Sequence, residues 1–481
     1  MNLMNLFDAS LIGRKTQDAV EFNDIIYTFD DINKRSNQMA RLLASRGLEK
    51  GDRLCVYLEN SITFIDLYLA SVKLGLIFVP VNILYKEREV SHIYNDASPK
   101  AFIASGEVPG VPIVWDVKEI EIESKTFPKD NIRNITDGDT PCAIVYTSGT
   151  TGLSKGAILT HNNFISNGIN LVTCWLFTEK DRLLLALPLF HVHGLANGIH
   201  CWLISGCKLR LQERFEHQKA AQWFREFKPT IFFGVPTVFI RLLDQPMEIS
   251  QEIGKNTRLF VSGSAPLPPQ VFTEFKTKYG HTILERYGMT ETLMNISNPY
   301  YGERRPGTVG FPLPGISVKI RNHEGKYMDI NEEGEVLVKG PNVFAGYWKR
   351  EEATKDAFID GYFRTGDMGE ISSDGYVTLK GRKSDLIISG GFNIYPREIE
   401  EFLLEQDSVA EAAVVGVPND IRGEVPVAFI VPNENYDAKV IEESLKATFA
   451  SFKIPRKFVT VDKLPRTALG KVQKHLLLSL A

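Results

Sequence analysis

Between residues 50 and 290, short apolar runs alternate with longer amphipathic stretches. The runs 54–58, 78–81, 143–146, 183–187, 231–233 and 259–261 lack the in-and-out alternation of a half-exposed strand, which predicts strands covered on both faces. Between them, 61–74, 86–96, 162–177, 217–227, 236–244 and 268–279 carry apolar residues at helical spacing. Strand alternating with helix predicts an α/β fold of parallel sheets covered by helices, with ligands held at the carboxyl ends of the strands.

The texture changes near residue 305. Gly-rich turns and short strands at 315–320, 334–338 and 375–379 predict a β-rich subdomain over about 305–381, completing a large N-terminal domain of residues 1–381. A break at Gly381-Arg-Lys-Ser-Asp-Leu386 opens a second unit, 382–481. Helices at 396–406 and 437–450 and strands at 412–415 and 427–431 make it a small α+β lid. At 481 residues the chain exceeds what one core fills, roughly 250–300 residues, so two domains are expected.

Composition narrows the function classes. Hydrophobic residues make 43% and charged residues 24%, the balance of an ordinary globular protein. Formal net charge is -4, so no basic excess exists to grip nucleic acid or an anionic membrane. The five cysteines, Cys55, Cys142, Cys174, Cys201 and Cys207, are odd in number and scattered, which fits a reducing compartment. The segment 1–8 has no basic stretch before an apolar one, and no apolar run spans a bilayer, so a cytoplasmic protein is expected.

The densest chemistry lies in Tyr146-Thr-Ser-Gly-Thr-Thr-Gly-Leu-Ser-Lys-Gly156, directly after a buried run. Gly149, Gly152 and Gly156 let backbone approach a ligand closely. Thr147, Ser148, Thr150, Thr151 and Ser154 bring hydroxyls, and Lys155 brings a mobile cation; together with backbone N–H groups these suit phosphate oxygens. The order differs from a Walker A loop, which needs Gly in place of Ser154 and Ser or Thr in place of Gly156. His191, His193, His200, Cys201 and Cys207 do not repeat a zinc spacing.

This segment resembles the phosphate loop of the adenylate-forming superfamily, which includes acyl-CoA synthetases, luciferase-like enzymes and peptide-synthetase adenylation domains. Further motifs follow in order: Leu187-Pro-Leu-Phe-His-Val-His-Gly194, Gly263-Ser-Ala-Pro266, Tyr287-Gly-Met-Thr-Glu-Thr292, Tyr362-Phe-Arg-Thr-Gly-Asp367, Gly381-Arg382 and Pro465-Arg-Thr-Ala-Leu-Gly-Lys471. The resemblance covers essentially the whole chain. It implies ATP and CoA as co-substrates and Mg2+ as cofactor. It places Thr147, Ser148, Gly149, Thr150, Thr151, Gly152, Lys155, Ser264, Ala265, Pro266, Glu285, Arg286, Tyr287, Gly288, Met289, Asp367 and Arg382 at the nucleotide. Glu291 is the implied magnesium ligand, a hard oxygen for a hard cation. Thr290, Glu291 and Lys471 are the implied catalytic residues, with Lys471 carried on a lid that rotates between half-reactions. Gly390, Gly391 and Phe392 are implied to border the CoA thiol arm. The hinge normally carries Asp or Lys where this chain has Ser384.

Within the superfamily the chain resembles malonyl-CoA synthetases, over 188–194, 235–241, 262–267 and 285–299. A dicarboxylate needs an anchor for the carboxylate that is not activated, and arginine matches one bidentately. Arg241 is the first candidate and Arg304 the second, with His191 and His193 lining the acid cavity. Periodicity alone sets Arg241 opposite the stripe of Val238, Phe239, Leu242 and Leu243, as a solvent-facing residue would be; only the resemblance turns it inward. The expected partners are small molecules, with neither nucleic acid nor membrane, in a monomer or weak homodimer. A ligase for another short or aromatic acid, a carrier-protein-loading enzyme, a luciferase-like oxygenase and a silent nucleotide-binding module remain the alternatives.

Overall fold

Successive residues of each buried strand point into different cores. In the computed structural model, which describes residues 2–147, 154–389, 392–419, 422–449, 451–466 and 471–480, Leu54 and Val56 of the strand Arg53–Tyr57 enter one apolar cluster while Cys55 enters another. Leu183, Phe233 and Val261 likewise join the first cluster, and Leu184, Phe232 and Phe260 a third. The first cluster is therefore shared by two sheets and sealed between them, which is why these strands read as continuous apolar runs.

One sheet has seven strands, in the order Gly346–Tyr347, Lys155–Thr160, Pro141–Thr147, Ile77–Pro80, Arg53–Tyr57, Ala101–Ala104, Trp115–Asp116. From Pro141–Thr147 outward its pairs are parallel. The other sheet has 14 strands, and its strands Arg182–Leu185, Ile231–Gly234, Leu259–Ser262 and Leu284–Met289 are parallel neighbours in that order. Four motif-bearing connections thus leave adjacent strands at their carboxyl ends, side by side.

The parallel sheets expected from the sequence are extended by antiparallel strands. Lys155–Thr160 returns antiparallel beside Pro141–Thr147. Thr308–Pro312 pairs with both Leu293–Ser297 and Val377–Arg382, so the β-rich segment continues the large sheet. At the far edge, Asp18–Phe22 and Ile25–Thr28 form an unforeseen hairpin; Asn23 and Asp24 both take positive φ, 49° and 63°, as a two-residue primed turn requires.

The helix Ile62–Leu74 is buried along its whole length, capped by Ser61 Oγ, which accepts from Phe64 N, and closed by Gly75 at φ 71°. It carries two charged residues inward, Asp66, paired with Arg35 at 2.6 Å, and Lys73. Lys73 Nζ faces Asn33 Oδ1 (2.8 Å), Ser36 Oγ (2.7 Å) and Asn37 Oδ1 (2.6 Å), and burial pulls its pKa down to about 7.

The last strand of the large sheet ends at Arg382, and a short turn, Lys383–Asp385, leads into a separate five-stranded sheet covered by the helices Pro396–Leu404 and Ala438–Thr448. Among the described residues no helix is long and apolar enough to cross a membrane.

Candidate active site

The phosphate hairpin and the Glu291 hairpin meet. Thr147 Oγ1, at the end of Pro141–Thr147, donates to Glu291 Oε1 at 3.4 Å, and Tyr347 Oη donates to the same oxygen at 3.1 Å. Both bonds fall on Oε1, and Oε2 accepts from neither. Burial raises the Glu291 pKa, opposed by these hydroxyls and by Arg382. Lys155 Nζ lies 5.2 Å from the centre of the Tyr347 ring. Ser148, Gly149, Thr150, Thr151 and Gly152 lie outside the described residues, as do Gly390 and Gly391. Thr290 is buried beside Glu291 in the turn between Leu284–Met289 and Leu293–Ser297. Gly288 is required there, since a Cβ would stand 1.9 Å from Leu293 O.

A second cluster forms around Asp367. Tyr287 Oη donates to Asp367 Oδ2, and Arg382 Nε pairs with Oδ1 at 2.9 Å. Burial raises the Asp367 pKa, against the pull of Arg382, Tyr287 and Lys471. Lys471, from the lid, is lowered first by burial and then by Arg382, with Asp367 and Asp385 opposing. The lid lysine therefore stands within electrostatic reach of the Asp367 cluster. Arg397 of the lid also donates to Leu379 O at 2.7 Å.

The Gly263-Ser-Ala-Pro266 loop leaves the strand Leu259–Ser262. Ser264 adopts φ 72° and is exposed with Ala265 and Pro266. Glu285, expected among the nucleotide ligands, lies beneath this loop: it is 2% exposed, and Oε1 accepts from Leu267 N at 3.1 Å. Burial pushes its pKa up to about 7.

Both family models that match the chain describe one kind of protein: "AMP-binding enzyme" over residues 8–348 and "AMP-binding enzyme C-terminal domain" over 398–471. The chain belongs to the adenylate-forming, AMP-binding enzymes. It is 33% identical to malonate–CoA ligase of Arabidopsis thaliana, across 96% of this chain and 83% of that protein. It is 31% identical to long-chain-fatty-acid–CoA ligase of Bacillus subtilis, across 96% and 91%. The crystal structure of ATP-bound MatB from Rhodopseudomonas palustris superposes with a TM-score of 0.93 at 38% identity, covering 100% of this chain and 99% of that one. This AMP-binding enzyme is accordingly an AMP-forming acid–thiol ligase.

Three histidine-motif and strand residues define a further region of the AMP-binding enzyme. Arg286 is 3% exposed, and its Nε and Nη2 have no hydrogen-bond partner among the described residues. Burial lowers its pKa to about 9. Its charge depresses both His191 and His193, which burial already holds neutral. Its guanidinium lies against Gly263, where a Cβ would come within 2.4 Å of Cζ. His193 Nδ1 is 3.2 Å from Ser264 Oγ, its ring stacks on Phe233, and its backbone N donates to His191 Nδ1.

The two arginines chosen from sequence fare differently. Arg241, in the last turn of Pro236–Leu242, is exposed and has no ion pair among the described residues, while Val238, Phe239 and Leu242 pack inward. Arg304 is corrected. Its Nε, Nη1 and Nη2 donate to Pro299 O (3.1 Å), Thr282 O (2.6 Å) and Tyr300 O (2.9 Å), which makes it a clamp on the 299–304 turn. Met289 packs partly buried against the main core, and Phe392 is exposed, stacked on Phe452 at 4.5 Å. Sequence reading missed Tyr347; its only signal was a Gly-Tyr-Trp run in a Gly-rich stretch.

Proposed function

We propose that this enzyme is an ATP-dependent malonate:CoA ligase. In the first step a malonate carboxylate oxygen attacks the α-phosphorus of ATP, and pyrophosphate leaves, giving malonyl-AMP. In the second, the CoA thiolate attacks the acyl carbon and AMP leaves, giving malonyl-CoA. Both reactants of the first step are anionic, so the site must neutralise charge and hold an in-line geometry.

The observation that carries the choice of acid is Arg286. A guanidinium buried to 3% whose Nε and Nη2 lack a hydrogen-bond partner among the described residues is costly unless a ligand supplies an acceptor. The far carboxylate of a diacid is such a ligand, and the neutral His191 and His193 beside it add hydrogen-bonding edges without competing charge. Arg241 is the second candidate anchor. The similarity to malonate–CoA ligases supports the same acid, and the comparable similarity to a long-chain-fatty-acid ligase makes a monocarboxylate the reading to test against.

Thr147 and Lys155 would receive the phosphates, Asp367 the ribose hydroxyls, and Lys471 the charge that develops at the α-phosphate. Among the described residues no group of three His, Cys, Asp or Glu side chains could hold a metal, so a lone buried Glu291 fits a cation carried mainly by nucleotide oxygens. Magnesium there would be held by Glu291 and would offset phosphate charge. Small 2-alkyl malonates are proposed as secondary substrates.

The test is pyrophosphate release with malonate, methylmalonate, acetate, succinate, benzoate and octanoate, with and without CoA. Malonate is expected to lead by kcat/KM. A preference for acetate or octanoate over malonate would overturn the assignment.

A further inference from the structure

The segment 341–347 has no motif role, yet the residues around Glu291 are built onto it. Asn163 Nδ2 donates to Pro341 O (2.9 Å) and Val343 O (2.8 Å). Asn342 Nδ2 donates to Thr292 O, to Met294 O at 3.2 Å and to Asn295 Oδ1 at 2.9 Å, and Phe344 N donates to Glu291 O at 2.8 Å. Gly346 and Tyr347 then pair with Ile158 and Ala157, two residues beyond Lys155. Gly346 sits at φ 135°, where a Cβ would meet Thr354 Cγ2 at 2.7 Å, and Thr354 Oγ1 in turn accepts from Tyr347 N at 2.8 Å. Phe344 packs edge-on to the Tyr347 ring at 4.8 Å. Every one of these contacts fixes where one phenol stands.

That phenol touches two groups of opposite charge. Its hydroxyl donates to Glu291 Oε1, and its ring face carries Lys155 Nζ. Lys155 makes no ion pair among the described residues, although the buried carboxylate of Glu291 is held by the hydroxyl of the same ring. A lysine and a carboxylate released into one water-poor space would pair with each other, and such a pair would withhold both from phosphate and cation. The ring offers the ammonium a favourable face while its hydroxyl gives the carboxylate a neutral donor, so each charge has a partner other than the opposite charge.

We propose that Tyr347 is a positioning residue of the first half-reaction: it keeps the phosphate lysine Lys155 and the metal-binding carboxylate Glu291 apart and aimed at the nucleotide. This rests on the adenylation reading of the site, but not on the identity of the acid.

The experiment compares wild type, Tyr347→Phe, Tyr347→Leu and Glu291→Gln, and Tyr347→Phe combined with Glu291→Gln. Two quantities are read: binding of Mn2+ to the enzyme–ATP complex by electron paramagnetic resonance, and the Mg2+ dependence of ATP–pyrophosphate exchange. The acid used is whichever member of the panel supports exchange, so an error about malonate leaves the outcome untouched. Tyr347→Phe is expected to weaken cation binding about tenfold, the effect of one hydrogen bond to a charged group. Tyr347→Leu is expected to add a loss of ATP affinity, as Lys155 closes on Glu291. In the Glu291→Gln background Tyr347→Phe should have no further effect on the cation. Wild-type cation binding in Tyr347→Phe, or a full additive loss on top of Glu291→Gln, would overturn the proposal.

Discussion

Tyr287 and Asp367 are joined across two strands of the large sheet, the hydroxyl of one donating to Oδ2 of the other while Arg382 takes Oδ1. The carboxylate is thereby oriented before any nucleotide arrives. Tyr287→Phe removes one charge-assisted hydrogen bond and should raise the KM for ATP about tenfold with kcat within about twofold. Asp367→Asn disturbs both partners and should cost more. Steady-state kinetics at saturating acid and CoA check this; an unchanged KM in both variants would exclude Asp367 from the nucleotide site.

Arg286 gives a prediction with two opposed signs. Losing a buried charged partner costs about 3–5 kcal/mol, so Arg286→Met should lower kcat/KM for malonate by two to three powers of ten. Acetate and propionate should be nearly unaffected. The same variant removes a buried guanidinium with unpaired N–H groups, so the ligand-free protein should unfold at a higher temperature than wild type. Calorimetry and the acid panel read the two signs separately.

Arg304→Ala should behave in the reverse way. Its three carbonyl contacts hold a turn, so the unfolding midpoint should fall while the ratio of malonate to acetate turnover stays within about twofold. A changed ratio would restore it to the acid cavity.

Lys471→Ala should lose about two to three powers of ten in adenylation, measured by pyrophosphate exchange, yet still form thioester from supplied malonyl-AMP and CoA. Equal loss in both half-reactions would contradict a role confined to the first.

Lys73 makes stability depend on pH. Its folded pKa is about 7 against 10.5 for the free side chain, so between these values the unfolded chain binds more protons than the folded one. Its contribution therefore rises from pH 7 to about 10 and is flat below 7. Urea midpoints for wild type and Lys73→Met over this range should converge at high pH. A constant gap would show that the lysine stays charged when folded.

Much of this architecture was legible because burial on both faces removes polar interruptions: the runs ending near residues 58, 81, 146 and 261 could only be interior strands. The hairpins were less legible. Asn23-Asp24 is a good primed-turn pair, but the strands beside it are short and partly exposed. The Glu291 hairpin is closed by Gly288 and a buried asparagine network whose donors lie some 50 residues away, as Asn342 does from Thr292. Motif residues such as Asp367, Tyr287 and Arg382 are brought together as their motifs suggested; Arg304 was misjudged because a charged turn does not disclose which carbonyls surround it. Tyr347 was invisible because its role depends on strand pairing with residues near 157, not on anything adjacent in sequence.

Arg382 is the last residue of its strand, and the turn beyond it carries the chain into the lid. Its guanidinium also ties Asp367 and Thr365 O together at that strand end. A group that takes hold of Asp367 would therefore also act on the point where the chain enters the second domain. If Asp367 receives the ribose as proposed, loss of the sugar and the set of the chain at the entry to the second domain would be coupled through this one guanidinium.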